Sequence, residues 1–193
     1  VISLGEIVHK ALALYGDKVD GSGETVAAVL KFIKGRFTND CIRRGSKAEA
    51  VEAAVSVNFD EINDCLQRIA AILQIRKDPN FGVLAASYKR VRNIIKDNNQ
   101  TSVDVDLFDH TAEKQLHTLF VEVQAEMGKL IESGDYGAAL QAMLKMKEPV
   151  DTFFDEVMVM AEDDAVRQNR LNLLTALGDL ILQVGDISKL QEG

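Results

Sequence analysis

The apolar residues of this chain recur at helical spacing along almost its whole length. Between Asp60 and Arg76, the residues Ile62, Cys65, Leu66, Ile69, Ile72 and Leu73 stand three and four apart, and Asp64, Gln67, Arg68 and Gln74 fill the other side. That is the pattern of a helix with one buried stripe and one wet face. Val26, Val29, Leu30, Ile33, Phe37 and Cys41 repeat it, as do Leu116, Leu119, Phe120, Val123, Met127, Leu130 and Ile131. Nothing reads as a half-buried strand, which needs apolar and polar residues in alternation. The pattern predicts an all-α helical bundle of about nine helices around a shared core.

Local signals place the breaks. Gly45 followed by Ser46-Lys47-Ala48-Glu49 predicts a glycine terminus and then a capping box, and Asn58 with Glu61 predicts a second start of that kind. Asp78-Pro79 stops one helix, Ser133-Gly134-Asp135 breaks the long one that begins near Thr111, and Pro149 suits a first helical turn. Asp163 and Asp164 complement the start of a closing helix whose stripe is Leu173, Leu174, Leu177, Leu180, Ile181 and Val184. Gly16 to Gly23 reads as a loop. The polar stretch from Asp97 to Ser102 reads as the one internal linker, dividing residues 1–98 from residues 99–193 within a single compact unit. No repeat of fixed period supports a solenoid.

Composition narrows the class. With 193 residues, 47% of them hydrophobic, and only two prolines, the chain is neither disordered nor collagenous. At this length about 70% of the unfolded surface can be buried, enough for a real core. Cys41 and Cys65 are the only cysteines and have no ligand-spaced partner, which argues against zinc or a disulfide framework and for two buried thiols. No apolar run approaches the roughly 20 residues of a membrane span, and there is no leader pattern. The expectation is a cytosolic protein without a membrane partner. Val1 in place of Met suggests a piece of a longer chain.

A net charge of -8 weighs against nucleic-acid binding, because phosphate contacts come from Lys and Arg. The average conceals a division. Residues 1–98 carry 15 cations against 12 carboxylates, whereas residues 99–193 carry 7 against 18. The first half is slightly basic and the second strongly acidic.

Catalytic chemistry finds no home in the pattern. His9, His110 and His117 lack metal-site spacing, and there is no phosphate-binding glycine loop or nucleophile elbow. Cys41 continues an apolar stripe. The carboxylates Asp151, Asp155, Glu156, Glu162, Asp163 and Asp164 lack the order of a calcium loop, and helix capping accounts for two of them. No catalytic or metal-ligating residue is assigned. The basic residues carry more: Lys89, Arg92 and Lys96 share one side of a helix, with Arg90 and Asn93 between them. Cations, an amide and Tyr88 together suit phosphate contact and the edges of unstacked bases. A solvated face paired with acidic neighbours is the alternative.

The last forty residues contain Phe153-Phe154-Asp155-Glu156-Val157-Met158-Val159-Met160, read as a buried connection, then Asp164-Ala165-Val166-Arg167 and Arg167-Gln168-Asn169-Arg170-Leu171. These stretches, with the ending Val184 to Leu190, resemble the C-terminal region of the bacterial glycyl-tRNA synthetase β subunit and its DALR-type anticodon-binding domain. Val166 stands where the family signature has Leu. Upstream, Lys89-Arg90-Val91-x-Asn93-Ile94 resembles the family's Lys-Arg-Val-x-Asn-Ile segment and Gly35-Arg36-Phe37 its Phe-x-x-x-Arg helix, so the likeness spans nearly the whole chain. It implies a non-catalytic module that grips the anticodon stem and loop of glycine tRNA, part of an α2β2 ligase whose α subunit holds the active site and uses ATP and Mg. No cofactor is implied for this fragment. On residue chemistry, Arg36, Lys89, Arg90, Arg92 and Lys96 are expected at phosphates, and Asn93, Arg167, Asn169 and Arg170 at loop or base positions. For Asn169 and Arg170 the alternative is that they tie the final helix to its neighbours. A helical scaffold that joins subunits without touching RNA is the alternative for the whole chain.

Overall fold

Short polar side chains start most of the helices. Ser3, Ser22, Asp78, Asp135 and Asp163 each accept a hydrogen bond from a backbone N–H of the following turn, satisfying donors that the helix itself leaves unpaired. In the computed structural model, which describes residues 2–190 with the side chain of Asp17 excepted, the helices are α1 (Leu4–Tyr15), α2 (Gly23–Arg43), α3 (Ala48–Val55), α4 (Ile62–Ile75), α5 (Pro79–Ile95), α6 (Thr111–Glu132), α7 (Tyr136–Met143), α8 (Lys147–Glu156) and α9 (Asp164–Leu182). Among the described residues, three 3-10 turns join helices and a fourth, Ile187–Lys189, follows α9. Among the described residues there is no strand. Val1 and residues 191–193 lie outside the described part.

The chain is all-α, as its periodicity predicts, but the starts of two helices differ from the capping signals. Gly45, at φ 99°, closes α2 with Ser46 N–H bonded to the Cys41 carbonyl, and α3 begins behind Lys47 without a side-chain cap. Glu49 is not part of a capping box with Ser46; it reaches Arg76, the residue that follows α4, at 3.2 Å. Asn58 likewise is no cap: its carbonyl accepts from Arg68, and α4 begins behind Glu61. Asp60 instead bridges two helix starts, its carboxylate accepting from Gly5 N–H at 2.8 Å and its carbonyl from Leu4 N–H at 2.8 Å.

The main buried cluster draws on α3 to α9, with Ile69, Ile72, Tyr88, Val91, Leu116, Phe120, Met127, Leu140, Met143, Phe153, Leu173 and Leu177 among its members. α9 is its axis. From Asn169 to Gly178 only Leu171 is not buried, so this helix is enclosed nearly all round rather than on one stripe. By contrast α1 buries only Val8 and α2 only Val26 and Cys41, and neither valine belongs to the main cluster. α2 packs on α1 and α3, making the N-terminal pair an appendage of the bundle.

The stretch from Asp97 to Ser102 is non-helical but is no free linker. Asn98 donates to Thr175 Oγ1 at 2.7 Å and accepts from Gln168 at 2.9 Å, while Asn172 donates to the Ser102 carbonyl at 2.7 Å. Gln168, Asn172 and Thr175 stand one turn apart on α9 and hold the stretch as a strap across it. The last turn is fixed as closely: a methyl added to Gly185 would come within 2.8 Å of Ile72 Cδ1 and 3.2 Å of the Ala53 carbonyl, so α3, α4 and the Ile187–Lys189 turn meet where only glycine fits.

Candidate nucleic-acid interface

α5 is a helix of 17 residues, started by Asp78 and Pro79, that buries Phe81, Leu84, Tyr88, Val91 and Ile95 against α8, α9 and the terminal turn. The 3.6-residue period therefore turns Lys89, Arg92, Asn93 and Lys96 outward, and all four are exposed. Between residues 89 and 96 there are four cations and no carboxylate. Lys89, Arg92 and Lys96 make no ion pair among the described residues, whereas Lys145, Lys147, Arg167 and Arg170 are each matched to a carboxylate.

Lys96 closes α5 at φ 42°, a conformation that glycine adopts without the steric cost borne by a side chain. Lys96→Gly is expected to stabilise the chain by roughly 0.5–1 kcal/mol in urea unfolding while removing one cation from the edge.

Arg90 faces another way. Its guanidinium lies over the Phe154 ring, 4.2 Å from the centroid, in a cleft of about 480 Å³ lined also by Ile94, Asp155, Glu156 and residues 157–160. It is a wall of that cleft rather than a member of the row of Lys89, Arg92 and Lys96. The Val-Met-Val-Met run is not wholly buried: Val157 and Val159 point inward, whereas Met158 and Met160 are 74% and 61% exposed. The period of two in those residues was the available signal, since an extended chain sends alternate side chains to opposite faces.

Arg36 is exposed on α2, its guanidinium 5.6 Å from the centroid of the Phe32 ring. It is not part of the α5 edge, because α2 packs on α1 and α3 while α5 packs on α8 and α9. Arg167 is half-buried and folds back on its own helix start, donating to the Ala161 carbonyl at 2.8 Å and pairing with Asp164. Asn169 and Arg170 are corrections to the expected contact set. Asn169, 3% exposed, accepts from Asp104 N–H and donates to the Asp104 carbonyl, both at 2.8 Å. Arg170, 4% exposed, donates through Nε to Glu113 at 2.9 Å and through Nη1 to the Met158 carbonyl at 3.0 Å, and also pairs with Asp109. Glu113 is fully buried and caps α6 by accepting from His110 N–H at 2.9 Å. Its bond to Arg170 raises the guanidinium above its ordinary value. Both residues fix the fold and neither reaches solvent.

The remaining candidates for chemistry are structural. Asp163 Oδ1 accepts from Ala165 and Val166 N–H groups as a cap. Cys41 and Cys65 are buried free thiols, and burial pushes Cys65 up to about 11. No described helix is long and apolar enough to cross a membrane.

The class is thus an all-helical bundle closed on an enclosed axial helix whose first turn carries Asp164-Ala165-Val166-Arg167, with one cationic edge and a cleft beside it. The chain belongs to the DALR anticodon binding domain family, which matches residues 84–187, from within α5 to the start of the last turn. It is 39% identical over 191 residues to the glycine--tRNA ligase beta subunit of Desulforapulum autotrophicum, covering 97% of this chain and 28% of that protein. Against the glycine--tRNA ligase beta subunits of Citrifermentans bemidjiense and Aeromonas salmonicida the identities are 40% and 41%, over 97% and 98% of this chain and 27% and 28% of those proteins. The chain therefore spans just over a quarter of the length of these relatives.

Proposed function

We propose that this chain is the tRNA-binding module of a glycine--tRNA ligase beta subunit, gripping the anticodon stem and loop of glycine tRNA without catalysing a step itself. The observation that carries the reading is the α5 edge, where Lys89, Arg92 and Lys96 stand exposed and, among the described residues, make no ion pair, within a family domain named for anticodon binding. Phosphates are bound by such cations with release of counterions, and Asn93 among them adds an amide for a base edge or sugar. ATP-dependent activation of glycine belongs, on this reading, to a partner α subunit that with the beta subunit forms an α2β2 ligase, where ATP and Mg are used. The ligase works in the cytoplasm.

Replacing Lys89 and Arg92 together with Ala is expected to weaken binding of glycine tRNA and to lower the slope of log affinity against log salt by about one for each cation removed. Filter binding across a salt series measures both. Unchanged affinity and slope in a folded variant would remove the reading.

A scaffold role draws support from a different place. Leu14 is 89% exposed, Tyr15 58% and Phe32 66%, all on the α1–α2 pair. Such apolar side chains suit contact with the rest of a ligase better than contact with phosphate. This role is compatible with tRNA binding through α5, because α2 packs on α1 and α3 while α5 packs on α8 and α9.

A further inference from the structure

α1 is apolar on two sides and covered on one. It packs on α2, with Val8 buried and Leu4 and Leu12 half-buried, while Ile7, Ala11, Leu14 and Tyr15 form a second stripe at spacings of four, three and one. That second stripe is exposed, Ile7 by 48%, Leu14 by 89% and Tyr15 by 58%. A surface helix carries one apolar stripe, and a helix that is apolar over more of its circumference is one that other elements enclose. The exposure does not come from a frayed end. Ser3 caps α1 by accepting from Glu6 N–H, and Asp60 accepts from both Leu4 N–H and Gly5 N–H at 2.8 Å.

The first residue of the stripe opens into a cleft of about 700 Å³ between α1, the start of α4 and the end of α6. Ile2, Ile7, Ile62 and Ile131 line it, with Glu61 and Glu132 beside them. Asp64, on the same cleft, is matched to Arg68, whereas neither glutamate makes an ion pair among the described residues. Stripe and cleft share Ile7, so they present one surface that is apolar along its length and acidic at one end. An amphipathic helix with a cation beside its apolar face complements such a surface, in the way helices lie in apolar grooves.

We propose that this surface receives one amphipathic helix from another part of the same beta subunit, its apolar face on Ile7 and Leu14 and a Lys or Arg against Glu61 and Glu132. The proposal rests on the chain being one module of a glycine--tRNA ligase beta subunit, and it does not depend on how α5 meets tRNA. Two observations favour the same subunit as the source. This chain covers only 28% and 27% of the length of the relatives from Desulforapulum autotrophicum and Citrifermentans bemidjiense, so most of such a subunit lies in other segments. The surface is also short. One face of a helix about 18 Å long is small beside the roughly 1,000 Å² that a stable contact between separate chains buries. A segment tethered to the module meets it at high effective concentration and needs no such area.

The test uses the complete ligase whose beta subunit contains this chain. A photoreactive benzoylphenylalanine is placed at Ile7 in one preparation and at Leu14 in another, and the cross-linked peptides are identified by mass spectrometry. Both probes are expected to reach one helical stretch of the same beta chain outside residues 1–193, with no band of higher mass on a denaturing gel. Glu61→Gln/Glu132→Gln, which keeps side-chain size and removes the charge, is expected to lower the cross-link yield roughly threefold. Leu14→Asp is expected to speed hydrogen exchange of the α1 amides in the ligase on the order of tenfold, by uncovering the stripe. Cross-links to the other subunit or to a second beta copy, seen as a band of higher mass, would overturn the proposal. So would the absence of any cross-link, or α1 amides that exchange no faster in Leu14→Asp than in the unaltered ligase. If Lys89→Ala/Arg92→Ala leaves tRNA affinity and salt slope unaltered while both probes reach that stretch, the tRNA-binding reading falls and the helix site stands. Weakened tRNA binding without a cross-link inside the beta chain gives the reverse.

Discussion

Replacing Arg170 with Ala is expected to lower the unfolding free energy by about 3–5 kcal/mol, the usual consequence of leaving a buried charge without its partner. Glu113 would be that charge, fully buried and deprived of both Arg170 nitrogens that now bond to it. For a domain of this size the thermal midpoint should fall by roughly 2–4 °C per kcal/mol, so a loss on the order of 10 °C is the readout. Substituting both partners, as Arg170→Met with Glu113→Leu, should restore much of the stability, because an apolar pair of similar volume needs no compensation. Recovery stops short of complete, since Glu113 also caps α6 and that cap is worth about 1 kcal/mol. A single variant that loses less than the double would show that the pair does not hold the fold. The same substitution frees the Met158 carbonyl, so the 157–160 segment should become mobile as well as the bundle weaker.

Arg68→Ala is expected to cost nearly as much, about 3 kcal/mol, by lost packing and by orphaning of carbonyl oxygens. Arg68 is 1% exposed, bonds to Asp64 through Nε at 2.8 Å, and donates to the carbonyls of Ala54 at 3.2 Å and Asn58 at 2.8 Å. It thereby fixes the α3–α4 turn, and Asp64 extends the network to the Tyr136 hydroxyl on α7. Arg68→Lys should recover less than half, because one ammonium cannot reproduce a fork that reaches three acceptors. Urea unfolding with an unchanged m-value separates this loss from a change in the denatured chain. Added salt should alter the difference little, since the pair is shielded from solvent.

These two arginines mark where a sequence pattern stops being informative. Arg68 falls on the polar side of a stripe that reads correctly as a helix, yet Arg68 itself is enclosed at the α3–α4 turn, whereas Gln67 and Gln74 on that side stay exposed. Periodicity reports which residues share a face, and does not report whether a second element covers the other face. Arg170 and Asn169 resemble RNA-reading residues in type and spacing, but the partners that consume them, Glu113 and Asp104, lie more than fifty positions away. The same distance in sequence hid the strap over α9 formed by Asn98, Asn172 and Thr175, which reads as a polar linker because its bonds are long-range.

The α5 edge was legible because it is local. A helix of period 3.6 that buries Leu84, Tyr88, Val91 and Ile95 must turn Lys89, Arg92 and Lys96 outward whatever surrounds it. Arg90 lies on the same helix, but its role depends on Phe154 arriving from α8, and no spacing within α5 reveals that.

The sequence by itself determined the helical class, most helix ends, the cationic edge and the family signature, since each depends on residues within a few turns of one another. The tertiary structure alone decided which charges face solvent, which are enclosed in the bundle, and that Met158 and Met160 line a cleft with Arg90. Those outcomes depend on which distant segments pack together, and burial rather than residue type sets whether a charge binds a partner or holds the fold.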